Sequence, residues 1–531
     1  MSESPAPETP AQEPPAPPLS RRTALRYGVL GAGAAVTAGL LGAAPAGAAA
    51  PALVHRGRPE LTHGIQLGDP RADGAVVWAR ADRPARMVVE VSSRPDFRDA
   101  RRVRGPLLTP ETDGTGRLRL RGLRPGSHVH VRVTATDPDG RLASAPVTGG
   151  FRTVGRRDIR FLWSGDVAGQ GFGINPDLGG MPIYRAMARR EPDFFLHSGD
   201  TVYADGPLVE ALTLPDGRVY RNLVTPEKQK VAETLAEFRG QYAYNLLDEG
   251  VRAFAAQVPQ IVQWDDHEVT NNWWPGEVLT DARYTERRVD VLAARAHRAF
   301  HEWQPIRPSE AVDGRIYRKI SYGPDLDVFV IDMRPYREPN SAGTSGYERV
   351  LGDRQARWLA HGLDRSRATW KIVASDMPIG VVVPDGEVIE GVANDRPGAP
   401  NGREAELAWV LREIHRARVR NVVWLTADVH YTAAHHYAPE RASFRDFSPF
   451  WEFVSGPLHA GAFGPNRLDP TFGPRVEFVN APPNAATSPM DGFQHFGEVN
   501  IDAGSGDLRV DLRDIDGRSL WSTTLRPEGR R

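Results

Sequence analysis

The chain has 531 residues, of which 25% are charged and 40% hydrophobic, and a formal net charge of −1. That length asks for two domains plus processed ends, and the near-neutral balance gives no field that would recruit nucleic acid or an acidic membrane. Cys is absent, which excludes disulfides, thiolate metal ligands, Cys nucleophiles and a lipid-anchored N-terminal Cys. Basic residues are nearly all Arg, with Lys only at Lys228, Lys230, Lys319 and Lys371, a bias that GC-rich coding explains.

Residues 1–50 read as a leader. A Pro- and Glu-rich start gives way to Ser20-Arg21-Arg22-Thr23-Ala24-Leu25-Arg26 and a weakly apolar run from Tyr27 to Ala44. Small residues close it, with Ala46-Gly47-Ala48 or Ala48-Ala49-Ala50 as the cleavage triplet. Twin Arg before such a run predicts a twin-arginine signal peptide, export through the twin-arginine translocase, and a secreted, wall-associated or periplasmic product. The competing reading is a membrane anchor, disfavoured by the Gly/Ala content; no stable membrane span is expected in the mature form.

Residues 60–153 have the texture of a small β-sandwich of fibronectin or immunoglobulin type. Alternating runs at Ala75–Arg80, Met87–Val91, Arg117–Leu120 and Val129–Val133 are separated by turns such as Asp73-Gly74, Asp113-Gly114 and Asp139-Gly140. No acids and histidines cluster there at ligand spacing, so it reads as an accessory domain.

From 158 to 525 the pattern becomes that of an α/β layered domain. Short apolar runs, Ile159–Trp163, Phe194–Leu196, Ile261–Trp264, Val328–Ile331, Trp370–Ala374 and Val422–Leu425, fit buried strands. The runs end in Ser164-Gly165-Asp166, Ser198-Gly199-Asp200, Asp265-Asp266-His267-Glu268, Asp332, Ser375-Asp376 and Asp428-Val429-His430. One Asp closing a strand is ordinarily a cap or turn residue. Repetition at strand after strand points instead to a site at the carboxyl edge of the sheet, where α/β folds bind ligands. Carboxylates, imidazoles and a phenol without thiols suit hard or borderline cations. Two such cations would clamp a phosphate ester and lower the pKa of bound water.

Three motifs carry a family resemblance. Gly199-Asp200-Thr201-Val202-Tyr203 has the Gly-Asp-x-x-Tyr form of purple acid phosphatases. Asp265-Asp266-His267-Glu268 and Ala427-Asp428-Val429-His430 resemble the Gly-Asn-His-Glu/Asp and Gly-His-x-His blocks of calcineurin-like metallophosphoesterases. With Trp264–Asn272, Asp332–Arg337, His63–Pro70 and Val77–Arg80, the ordered set resembles the PhoD-like alkaline phosphatase D family over nearly the whole mature chain.

The resemblance implies a metallophosphoesterase-type layered β-sandwich flanked by helices, preceded by the small sandwich. It implies hydrolysis of phosphomonoesters or phosphodiesters by a two-metal-activated hydroxide. Asp166, Asp200, Tyr203 and His430 would hold Fe³⁺, with Asp200 bridging to a second cation, Ca²⁺, that Asp266 and Asp428 also bind. His267 would stabilise the transition state or act as general acid. Asn271, Asn272 and Arg334 would donate to the phosphoryl oxygens, although an Arg closing a strand also serves as a structural ion-pair partner.

Two departures stand out. Some family members place a Cys in the segment matching Trp163–Asp166, which this chain lacks, so Mn²⁺ and Zn²⁺ remain as alternatives. Where a His ligand often follows the fifth strand, this chain has Asp376, a ligand or a turn residue.

The substrates expected are small-molecule or lipid phosphate esters. Phospholipase D-type cleavage is the alternative chemistry, and a non-catalytic secreted binding protein is the alternative class. His435 and His436 read as rim residues, and Trp273 and Trp274 as packing. Gly169–Gly173 and Phe444–Pro489 read as loops over the site, and Glu498–Asp502 and Leu508–Leu512 as strands completing the domain's second sheet. No Lys-Ser/Thr follows the Gly-rich runs and no Gly-x-Ser-x-Gly occurs, which excludes a P-loop and a serine-hydrolase elbow.

Overall fold

The computed structural model describes residues 57–307 and 314–529, so the leader and its twin arginines lie outside the described residues. Two sheets stack face to face. The first runs in the order Ser519–Leu525, Leu508–Asp514, His495–Ile501, Ile159–Ser164, Phe194–Ser198, Gln260–Gln263, Leu61–Arg71, Gly74–Ala81, Thr115–Arg119. The second runs Arg318–Ser321, Leu326–Val330, Trp370–Ala374, Val422–Thr426, Phe450–Val454, Thr432–Tyr437, Pro474–Asn480.

The period-2 geometry of a strand explains why these runs are apolar throughout rather than alternating. In the strand Ile159–Ser164, Phe161 and Trp163 point into the layer between the sheets, where they meet Val328, Ile372 and Leu425. The intervening Leu162 points the other way, into the core beneath the helices Leu235–Asn245, Glu249–Gln257 and Val289–Trp303. Phe329 and Val373 likewise leave the second sheet toward the helices Gly352–Arg365 and Arg403–Arg416. The result is the helix-flanked β-sandwich expected from the sequence. Ile159–Ser164, Phe194–Ser198 and Gln260–Gln263 are parallel, as are Leu326–Val330, Trp370–Ala374, Val422–Thr426 and Phe450–Val454, so the carboxyl ends in each group share an edge.

The N-terminal region packs a separate four-stranded sheet, with strands Arg101–Leu108, Ala85–Ser92, His128–Thr136 and Val147–Arg152 in that order, onto Leu61–Arg71 and its neighbours through Ile65, Val77, Met87, Val89, Val131 and Phe151. The change of texture at 153–158 is not a break in hydrogen bonding. Gly68 pairs in parallel with Gln260, Trp78 Nε1 donates to Glu302 O at 2.8 Å, and Arg318 meets Asp69 at 3.0 Å with both side chains buried.

The C-terminal strands correct one expectation. They extend the first sheet, with Gly497 opposite Trp163 and Ile501 opposite Ile159, rather than the second. Alternation cannot say which sheet receives a strand. Packing does: a Cβ on Gly497 would lie 2.0 Å from the Trp163 ring.

Three histidines in this core make stability pH-dependent. Burial pushes His197, His459 and His495 down to about 3, 4 and 4. Unfolded, each takes up a proton near pH 6.5; folded, each stays neutral until its own lower value. The unfolded state therefore binds the extra protons in that window, and stability falls as pH drops from about 6.5 to 4, by ~1.4 kcal/mol per pH unit per histidine. His197→Phe should flatten the slope of denaturant-derived stability between pH 6.5 and 4.5 by one histidine's share. An unchanged slope would refute this account.

Candidate metal centre

The polar residues that close the strands share an unusual backbone. Asp166, Asp200, Asp428 and His430 have φ of 67°, 49°, 68° and 58°. Left-handed φ is uncommon outside Gly, and Asp, Asn and His are among the side chains that tolerate it best. Such strain persists where surrounding structure over-determines it. Here Val167 N donates to Asp200 O at 2.9 Å, Ala427 N to Asp376 O at 2.9 Å and Phe463 N to His430 O at 3.1 Å, locking neighbouring loops together.

Three groups of ligand atoms result, each within 4.8 Å of one another: Asp166, Asp200 and His430; Asp200, Asp266 and His267; Asp265, Asp266 and Asp428. Asp200 belongs to the first two and Asp266 to the last two. Tyr203 joins the first, its hydroxyl 2.7 Å from His430 Nε2. His430 Nδ1 faces Gly461 O at 2.5 Å, which fixes the ring and leaves Nε2 turned inward. Burial pushes that imidazole down to about 4, so it is neutral and able to ligate.

These residues fit divalent or trivalent cations. Oδ2 of Asp166, Asp265 and Asp428 are buried without a hydrogen-bond partner. Burial, then repulsion from neighbouring carboxylates, holds the Asp166, Asp200 and Asp428 carboxyls well above the usual carboxylate range. A cation removes that repulsion and supplies the missing partner. The cradle is tight as well, since a Cβ on Gly456 would fall 2.2 Å from Asp166 Oδ2.

His267 stands beside these groups. Its Nδ1 lies 2.8 and 2.9 Å from the two Asp205 oxygens, its Nε2 lies 3.9 Å from Asp266 Oδ2, and its ring overlies Tyr203 at 4.1 Å. Burial opposes protonation, but Asp205 and Asp266 outweigh it and push His267 up to about 10. Asp205 also accepts from Asn271 N at 2.8 Å. The resemblance assigns Asp205 no role, although it closes the stretch Ser198–Asp205 that carries the resemblance, two residues past Tyr203. Glu268 is a further residue the motifs leave without one: it accepts from Thr201 N, Thr201 Oγ1 and Asp265 N at 2.6, 2.7 and 2.8 Å, clamping the Asp200 loop to the Asp266 loop.

Asn271 is exposed at the cleft, whereas Asn272 donates its backbone N–H to Asp266 Oδ2 at 2.6 Å. Arg334 departs from its expected place. Its side chain is fully buried, at 2.5 Å from Asp265 and 2.6 Å from Glu390, so it neutralises the carboxylates beneath the centre and offers nothing to a ligand in the cleft. The turn after Leu326–Val330 carries it under the Asp265 loop, where Glu390, unsuspected from the sequence, completes the pair. Asp376 is fully buried beside Asp265 and this network, and belongs to none of the three ligand groups.

His435 is buried rather than on a rim, 3.1 Å from Glu452, because its strand lies inside the second sheet. Trp273 packs against Trp264.

The cleft over the centre holds about 440 Å³ between Gln170 on one side and Phe463, Gly464 and Asn466 on the other. The rest of the second segment expected to overlook it is not all loop, since Phe450–Val454 and Pro474–Asn480 are strands of the second sheet. A cavity of about 450 Å³, lined by Asp205, Glu277 and Arg283, adjoins it across His267 and Asn271. A further cavity of about 1100 Å³, between Arg152, Arg157 and Asn500, touches none of the ligand groups.

Comparison with known proteins is consistent along most of the chain. The profile of the PhoD-like phosphatase family matches residues 161–512, and that of the PhoD-like phosphatase N-terminal domain matches residues 47–155. The chain is 26% identical over 455 residues to alkaline phosphatase D of Bacillus subtilis (strain 168), covering 79% of this chain and 74% of the relative. Among solved structures, one of PhoD superposes with a TM-score of 0.67 at 20% identity, over 88% of this chain and 89% of that one. A purple acid phosphatase from yellow lupin (Lupinus luteus) seeds gives 0.54 at 13% identity, over 88% and 74%, a likeness of fold.

Proposed function

Because the chain belongs to the PhoD-like phosphatase family and is a phosphate ester hydrolase, we propose that it is an exported two-metal phosphoesterase acting on phosphomonoesters and phosphodiesters. One observation carries the reading: the ligand groups are linked, Asp200 being common to two of them and Asp266 to two. Asp166, Asp200, Tyr203 and His430 would hold the first cation. Tyr203 favours Fe³⁺ there, since a phenolate is a hard, strongly donating oxygen. Asp200, shared between two ligand groups, would also serve a second cation, for which Asp266, Asp428 and Asp265 offer an all-oxygen set suited to Ca²⁺. When bound, the pair neutralises phosphoryl charge and lowers the pKa of a water.

The protein's own groups divide the remaining work. Asp205 orients His267 and keeps it protonated, so that its Nε2–H is available to the leaving-group oxygen. Asn271, exposed at the cleft, is placed to donate to a phosphoryl oxygen. Arg334 holds Asp265 and restrains Asp266 from below. The twin-arginine leader supports export to the wall, periplasm or medium, and no helix among the described residues is long and apolar enough to cross a membrane.

Elemental analysis with a visible spectrum tests the metals. Iron with a phenolate charge-transfer band, lost in Tyr203→Phe, is expected; a colourless, fully active zinc or manganese protein would refute the ferric assignment. Rates on a monoester, a bis-aryl diester and a phosphatidylcholine dispersion test the substrate class, and clear preference for the lipid would overturn it.

A further inference from the structure

The helix Val289–Trp303 carries His297-Arg298-Ala299-Phe300-His301, two histidines four residues apart and therefore on one face. Their Nε2 atoms lie 3.1 Å apart. Both also converge on the carbonyl of Gly314, at 2.5 Å from His297 and 3.0 Å from His301. From these atoms, we propose a transition-metal site, separate from the catalytic centre, in which His297 Nε2, His301 Nε2 and Gly314 O ligate one Zn²⁺-, Ni²⁺- or Cu²⁺-class ion.

The spacing suits such an ion. Tetrahedral metal–nitrogen bonds of about 2.0–2.1 Å place neighbouring ligand atoms roughly 3.3 Å apart. The two separations to His301 Nε2, 3.1 and 3.0 Å, come near this, and the 2.5 Å contact of His297 with Gly314 O has to lengthen when an ion enters. Two imidazoles select a borderline transition metal over the hard cations that carboxylates favour. The donors are also built into place. Gly314 has φ 75°, and a Cβ there would lie 2.5 Å from His297 Cε1, so glycine is what lets the carbonyl approach. Trp264 packs edge-on against His297, and Phe300 against His301.

Both rings are only part-buried, which leaves coordination positions open to water. Burial lowers both imidazoles, and with His297 beside it His301 is pushed down to about 3, so protons do not compete for the ring nitrogens at neutral pH. None of these residues belongs to the three ligand groups of the catalytic centre. An ion here would fasten the end of the helix to the chain that enters Arg318–Ser321.

Cu²⁺ titrated into the metal-loaded enzyme and followed by EPR tests the site. One ion per chain with nitrogen hyperfine structure is expected, lost in both His297→Leu and His301→Leu while turnover stays within about twofold. Ni²⁺ should raise the melting temperature of the parent protein and of neither variant. A second imidazole pair, His128 and His130 at 3.2 Å, supplies the control. A signal that persists in His301→Leu, or that disappears in His128→Leu, would overturn the assignment, as would the parent's taking up no copper. Should circular dichroism show His297→Leu unfolded, His301→Leu decides alone.

Discussion

Asp200→Asn is expected to reduce hydrolysis by at least about 10³-fold, ~4 kcal/mol of transition-state stabilisation, while the protein remains folded. The size of the loss reflects position, since this carboxylate belongs to two ligand groups and an amide is a poor bridge between cations. Retention of the fold reflects the few bonds Asp200 makes within the chain. Its side chain accepts a long hydrogen bond from His267 N at 3.3 Å and one from the Tyr203 hydroxyl, and otherwise crowds Asp266, Asp265, Glu268 and Asp166. Removing a buried charge from that cluster relieves repulsion, so the metal-free variant should melt no lower than the metal-free parent. Turnover on an aryl phosphate, with a thermal melt in chelator, checks both halves. Turnover at the parental rate would remove Asp200 from the reaction, and a collapsed melt would assign it to the fold.

The carboxyl-edge cluster is legible because strand length, apolar runs and the residue after each run are local properties. Asp166, Asp200, Asp266, Asp428 and His430 each close a run that can be recognised alone, and the fold places the runs side by side. The illegible part depends on distance along the chain. Asp205 meets His267 across 62 residues, and Arg334 reaches Asp265 across 69. No periodicity encodes either pairing. A strand-end Arg looks the same in sequence whether it faces a cleft or lies beneath it, and the burial that separates these outcomes comes from Glu390. The same limit applies to the sheets. The strand Leu61–Arg71 has the alternation of a sandwich strand and also supplies the edge that Gln260–Gln263 pairs with, which only the assembled sheet reveals.

The electrostatics of the centre arise from this mixture of local and distant residues. Local sequence concentrates Asp166, Asp200, Asp265, Asp266 and Asp428 as buried side chains at the floor of the cleft, and in isolation that arrangement raises their affinity for protons. Distant residues then differentiate them. His267 and Arg334 outweigh the burial of Asp266 and hold it down to about 2, whereas Asp166 and Asp428 stay raised. The centre is thus polarised toward His267 before any cation binds.

His267→Gln is expected to lower kcat by about 10²–10⁴-fold, the range for loss of a positioned proton donor. The loss should depend on the leaving group. A nitrophenolate departs without help, whereas an alkoxide needs a proton as the bond breaks, so the variant should be far more impaired on an alkyl phosphate than on the nitrophenyl ester. Asp205→Asn should be milder, because the amide can still orient Nδ1 but no longer holds the charge. The double variant should be no slower than His267→Gln, since Asp205 acts through the imidazole. The pH profile gives the sign. A general acid works while protonated, so the rate falls as pH rises past the pKa of His267, and the neighbouring Asp205 and Asp266 move that limb upward, toward about 10 before cations bind. Losing the Asp205 charge should shift the limb down by about one unit or more, leaving the acidic limb in place. Equal impairment on both esters, together with an unmoved alkaline limb in Asp205→Asn, would show that His267 supports the centre without delivering a proton.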